Sequence, residues 1–88
     1  MKFNTACIHG DGPNDALGAV SPAIYCTSTF AHPGLGKSTG YAYTRESNPT
    51  HERLEKVMTT LEGGVDALCF STGMAAIDAV MRLFGTGD

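Results

Sequence analysis

Ala67-Leu68-Cys69-Phe70-Ser71-Thr72-Gly73-Met74 reads as a short apolar strand, a tight turn and the opening of a helix. Beyond it, Met74, Ile77, Val80, Met81 and Phe84 recur at helical spacing, with Asp78 and Arg82 four residues apart on the outer face and Gly85 as a stop. Upstream, Leu54, Val57, Met58 and Leu61 fall at i, i+3, i+4 and i+7 and define one apolar stripe. Asn48 suits the cap of that helix, Pro49 its first position and Gly63-Gly64 its end, while Glu52 and Lys56 can pair on the solvated side. Helix, buried strand, tight turn and helix together begin an α/β unit, and the order implies a parallel sheet whose other strands lie outside this sequence.

Residues 1–47 have a different texture. They are rich in Gly, Pro, Ser and Thr, show no sustained helical period and cannot easily build a core of their own. We expect residues 1–47 to be an extended arm that lies on another surface, and residues 48–88 to be the start of a larger α/β domain. Within the arm, Ile24-Tyr25-Cys26-Thr27-Ser28-Thr29-Phe30 has strand-like composition.

Composition narrows the class. The 88 residues suffice for one small domain or part of a larger one, and a formal charge of −3 without any block of like charge speaks against nucleic acid and anionic membranes as partners. Neither a signal-type apolar run nor a membrane-length stretch occurs, so a cytoplasmic protein is expected. Cys7, Cys26 and Cys69, odd in number and widely spaced, fit reduced thiols. Cys7 and His9 lack the further ligands of a tetrahedral metal set, so no metal is expected.

Two stretches have the look of a phosphate site. Residues 31–38 satisfy a permissive A-x-x-x-x-G-K-S loop, running from Ala31 to Lys37 and Ser38, which would make a small nucleotide-binding protein. That loop needs a strand before it and a helix after it, and Thr39-Gly40-Tyr41-Ala42-Tyr43 is a poor helix start. Ser71-Thr72-Gly73-Met74 has the required context. Gly73 allows close approach of an anion, the N–H groups of Gly73 and Met74 are helix-start donors, and Ser71 or Thr72 adds a hydroxyl. On geometry alone the same turn is equally an ordinary strand-to-helix cap. Tyr41-Ala42-Tyr43-Thr44-Arg45, if extended, places Tyr41, Tyr43 and Arg45 on one face, where a phenol beside a guanidinium suits a phosphate dianion. A surface strand with an exposed arginine is the plainer reading of that run.

The run Tyr43-Thr44-Arg45-Glu46-Ser47-Asn48-Pro49-Thr50 resembles the Y-[ST]-R-x-x-N-P-T signature of the transsulfuration (Cys/Met metabolism) family of pyridoxal-phosphate (PLP) enzymes, which includes cystathionine synthases and lyases, methionine γ-lyase and homoserine-ester sulfhydrylases. Gly18-Ala19-Val20-Ser21-Pro22-Ala23-Ile24-Tyr25, Thr27-Ser28-Thr29-Phe30, Leu61-Glu62-Gly63-Gly64, Ser71-Thr72-Gly73-Met74-Ala75-Ala76-Ile77 and Gly87-Asp88 are similar to that family in the same order. The resemblance spans nearly the whole chain and outweighs the nucleotide-loop reading.

The resemblance implies the aspartate-aminotransferase-like α/β fold (fold type I), present as its amino-terminal part, and pyridoxal 5′-phosphate as cofactor. It implies that Gly73 and Met74 hold the cofactor's phosphate through backbone N–H groups beside Thr72, which keeps the hydroxyl of the family's usual serine. It further implies that Tyr43 and Arg45 reach the phosphate bound in a neighbouring subunit of a dimer or homotetramer, and that Tyr43 assists deprotonation of the amino-acid substrate. The implied chemistry is elimination or replacement at Cβ or Cγ of a sulfur amino acid or homoserine ester. Ala42 stands where members acting on cystathionine often carry an acidic residue, a slight tilt toward methionine γ-lyase or sulfhydrylase activity. The family's cofactor-bearing lysine matches none of Lys2, Lys37 and Lys56, so the chain by itself is expected to be inactive; a non-catalytic relic or assembly fragment is the alternative.

Overall fold

The computed structural model describes residues 2–10, 12 and 15–88. Three helices form: α1 (Phe3–His9), α2 (Pro49–Glu62) and α3 (Gly73–Met81). Local chemistry sets the bounds of α2. The Asn48 side chain accepts from the Thr50 N–H at 2.8 Å, Pro49 occupies the first position, and Gly63 closes the helix at a φ of 64°, the left-handed region that glycine enters without a Cβ penalty.

α1 lies inside the stretch expected to be extended, and it docks on α2. Ala6 is buried against this contact at 7% exposure, and Arg53 of α2 donates to the carbonyls of His9 and Gly12, satisfying acceptors that a helix end leaves open. Gly10 is close enough to Val57 that a Cβ there would meet its Cγ2 at 2.9 Å, and its φ is 60°. A seven-residue helix is too short to persist on propensity, so tertiary contact explains a helix that periodicity does not disclose.

The two extended segments of the arm run antiparallel. Phe30 N–H donates to Ala42 O at 3.0 Å and Thr44 N–H to Ser28 O at 2.8 Å, around a single bridge between Thr29 and Tyr43. Tyr41 closes this pair onto α2 by donating its phenol O–H to the Glu52 carboxylate, with the Phe30 ring 5.5 Å away. Glu52, expected to pair with Lys56, thus serves the arm instead. Residues 31–38 make a tight reverse turn in which Lys37 N–H donates to Gly34 O and His32 Nδ1 lies 2.8 Å from Lys37 O. No helix follows until Pro49, so the nucleotide-loop geometry is not formed among the described residues.

The strand expected at residues 67–70 is extended chain without a ladder, because strand pairing requires a neighbour and none lies beside it among the described residues. Its main anchor is Cys69 N–H on the Glu55 carboxylate at 2.8 Å; partial burial and the nearby Glu55 charge push the Cys69 thiol up from its ordinary range. Leu68 and Phe70 are exposed rather than buried. α3 stops at Met81 with Arg82 as its cap, short of Gly85, and the Asp78 to Arg82 pair forms at 2.8 Å. Its apolar stripe of Met74, Ile77, Val80 and Met81 is more than half exposed. The radius of gyration is 16.0 Å, against about 12 Å for a compact chain of this length.

Two expectations follow. Replacing Gly10 by Ala should weaken the docking of α1 by on the order of 1–3 kcal/mol, through both the Cβ contact and the positive φ. Amide exchange at Ala6 and Gly10, whose N–H groups bond Lys2 O and Ala6 O, reads this out, and unchanged protection would contradict it. Second, the hydrogen bond to Glu52, then burial, then the Glu52 charge raise the Tyr41 pKa to about 12, so the fold favours the neutral phenol. That contribution is whole below the ordinary phenol value of 10.0 and is lost as pH climbs through about 12. A tyrosinate absorbance titration should show one late phenol that Glu52→Ala moves back toward the ordinary value; a curve insensitive to Glu52→Ala would rule this out.

Candidate functional site

Tyr43 and Arg45 border an open groove walled also by Tyr25, Cys26, Thr27, Ser28 and Thr44. The chain reverses immediately after Tyr43, whose carbonyl accepts from both Glu46 and Ser47 N–H groups. Arg45 therefore meets Tyr43 through a turn and not through the alternation of an extended run. The result is nonetheless a pair: the Arg45 guanidinium carbon lies 5.4 Å from the Tyr43 ring centroid. A guanidinium over an aromatic ring can still offer N–H donors to an anion, and Tyr43 is itself partly exposed. Tyr41 does not join this face, since its phenol is committed to Glu52.

The second element is the start of α3. Thr72 is extended at a φ of −144° and its Oγ1 accepts from Ala75 N–H at 3.1 Å, which fixes the first turn. The hydroxyl proton of Thr72 is not consumed by that cap. Gly73 and Met74 are the first two helical residues, and their N–H groups have no intrahelical acceptor. Gly73 is absent from the positive-φ glycines and a Cβ built on it meets no atom within 4 Å. Neither backbone conformation nor packing within this chain calls for glycine there, whereas close approach of an anion to the backbone does. Residues 71–74 take no part in the walls of the Tyr43 groove, so the two candidate half-sites are separate surfaces, both exposed.

What the sequence reading missed is the centre that holds the first half-site. Asn48 was legible as a helix cap, but its side chain is also the largest that is fully buried among the described residues, at 2% exposure. Its amide donates to Tyr25 O at 3.2 Å and to Thr44 Oγ1 at 3.0 Å. Asn-Pro at a helix start is a local signal for the cap; nothing local reports the partners 23 residues away.

The cystathionine gamma-lyase of Bacillus subtilis (strain 168) is 51% identical over 89 residues, covering 100% of this chain and 24% of the relative. The cystathionine beta-lyase of Lactococcus lactis subsp. cremoris (strain MG1363) is 48% identical over 88 residues, covering 99% and 23%. Among solved structures, the crystal structure of metB from Corynebacterium glutamicum superposes with a TM-score of 0.86 at 41% identity, covering 100% of this chain and 24% of that one. Cystathionine gamma-lyase from Lactobacillus plantarum, complexed with L-serine, gives 0.85 at 44% identity, covering 100% and 23%. The chain thus spans about a quarter of the length of the curated relatives it matches, and its conformation is that of the amino-terminal part of fold type I PLP enzymes. Residues 4–88 match the family described as Cys/Met metabolism PLP-dependent enzyme, and the chain belongs to that family, whose cofactor is pyridoxal 5′-phosphate.

Proposed function

We propose that this chain is the amino-terminal segment of a cytoplasmic, homotetrameric PLP enzyme that carries out β- or γ-elimination, or γ-replacement, on sulfur amino acids or homoserine esters. Residues 1–47 form the arm toward a neighbouring subunit, and residues 48–88 begin the large cofactor-binding domain. The observation that carries the reading is the pair of exposed, anion-shaped half-sites on a segment whose relatives are four times longer. The residues fit the cofactor's phosphate: Gly73 and Met74 offer unpaired N–H groups at a helix start, Thr72 a hydroxyl, and a Cβ at Gly73 would occupy otherwise open approach space.

When bound, pyridoxal phosphate supplies an electron sink for charge developing at the substrate's α-carbon. The chain's own residues bind and orient. Gly73, Met74 and Thr72 hold the phosphate of their own subunit. Tyr43 and Arg45 would extend to the phosphate in the neighbouring subunit, where Tyr43, acting as its phenolate, would accept the proton leaving the substrate ammonium and become the neutral phenol. The free, exposed Cys7, Cys26 and Cys69 suit a reducing compartment. Substrate choice is left at the level of the class, since the relatives named above are cystathionine lyases while Ala42 offers no charge for a distal ammonium. A second reading, that the chain is a non-catalytic piece that binds a partner, draws on its single buried apolar residue, Ala6, among those described.

Two experiments test these readings. Adding PLP to the purified 88-residue chain, reducing with borohydride and mapping by mass spectrometry should label no single lysine saturably; stoichiometric labelling of Lys2, Lys37 or Lys56 would refute the dependence on a longer polypeptide. For the intersubunit role, residues 1–88 replace the aligned segment of the Bacillus subtilis cystathionine gamma-lyase. An Arg45→Ala hybrid mixed with a hybrid lacking its cofactor-bearing lysine should recover roughly a quarter of the unmutated activity, because half of randomly mixed dimers carry one intact site. No recovery in dimers verified as mixed would overturn it.

A further inference from the structure

We propose that Asn48 is a positioning residue for the cofactor phosphate, a buried carboxamide clamp that sets where Tyr43 and Arg45 stand; this rests on the proposed role of those two residues. Three segments meet at its side chain. The oxygen accepts from Thr50 N–H at 2.8 Å and so caps α2. The amide nitrogen donates to Tyr25 O at 3.2 Å on one wall of the groove and to Thr44 Oγ1 at 3.0 Å on the other. The Thr44 hydroxyl spends its one proton on Thr27 O, so its oxygen is oriented to accept from Asn48. Tyr25 N–H then returns to α2 through Thr50 Oγ1 at 2.9 Å, closing a ring of hydrogen bonds around the buried amide.

Thr44 lies between Tyr43 and Arg45 in the chain, so fixing its backbone and hydroxyl fixes the origin of both side chains. The position demands a group that accepts with one atom and donates twice with another. Aspartate of the same size can cap but cannot donate when ionised, and serine is too short to reach both walls. Asn48 itself is buried and Tyr43 and Arg45 are exposed, so it acts through them and not by touching the cofactor. No buried side-chain polar atom is left unsatisfied among the described residues, which marks the network as fully determined.

The test uses the hybrid enzyme described above and measures the dissociation constant for PLP by titrating the cofactor-free protein. Asn48→Asp keeps the volume and the cap while removing both donors, and should raise that constant by about tenfold or more. Arg45→Ala should raise it as well, and adding Asn48→Asp to a Tyr43→Phe/Arg45→Ala variant should change it by no more than about twofold, because Asn48 acts only through those two side chains. A merely structural Asn48 would give losses that multiply, which overturns the proposal. Thr44→Val, which deletes the hydroxyl at the groove wall and leaves the cap untouched, is the second variant should Asn48→Asp fail to fold. It should weaken PLP in the same direction, and an unchanged constant there refutes the clamp. If Arg45→Ala binds PLP as well as the parent, the phosphate role of Arg45 falls and the clamp with it; if Arg45→Ala is weak while Asn48→Asp and Thr44→Val are normal, the clamp alone falls.

Discussion

The hydrogen bonds of one buried carboxamide join parts of this chain that hydrophobic burial does not. Asn48 links the start of α2 to the two antiparallel segments of the arm, and both polar atoms of its side chain are matched. Removing a helix cap costs typically about 1 kcal/mol, and leaving a buried polar partner unmatched costs about 1–3 kcal/mol more. In a chain with a single buried apolar residue among those described, such contributions weigh heavily against the ordering entropy of the segments they join. The Tyr41 to Glu52 bond and the Arg53 bonds to His9 and Gly12 repeat the same device at the other edges of α2. Helix α2 is thus the post to which both α1 and the arm are tied, and tying by polar groups is what lets the apolar surfaces stay uncovered.

Those uncovered surfaces point outward from the same logic. Leu68, Phe70, Ile77, Val80 and Phe84 are each 44% exposed or more, and burying one such side chain fully contributes about 1.5–3 kcal/mol. An α/β layer forms when a helix covers a sheet, and among the described residues the helix and one extended segment are present without a sheet. The relatives are about four times as long. Function follows the same division. The two proposed phosphate surfaces are both open, and a site that excludes water and orients a substrate needs enclosing walls.

Local chemistry was legible in the sequence and long-range chemistry was not. The cap at Asn48, the Pro49 start, the Gly63 stop, the Thr72 to Gly73 helix opening and the Asp78 to Arg82 pair all depend on residues a few positions apart, and each stands where its side chain dictates. Helix α1 escaped notice because its seven residues are tied down by contacts with α2, among them Arg53 and Val57, more than 40 positions away. The stretch at residues 67–70 was legible as extended, but a ladder belongs to a pair of strands and not to one. At Arg45, alternation gave the correct neighbour for the wrong reason, since a turn and a ring stack bring it to Tyr43. The family was legible because several motifs occur in one order, a pattern far more specific than the loop around Lys37, whose residues form a reverse turn.

A crystal structure of the hybrid enzyme with pyridoxal phosphate tests the central claim most directly. The account predicts the phosphate against the N–H groups of Gly73 and Met74 of one subunit, with Tyr43 and Arg45 arriving from its neighbour and Asn48 buried behind them as it is here. A phosphate seated elsewhere, or contacted by Tyr43 and Arg45 of the same subunit that supplies Gly73, would contradict it.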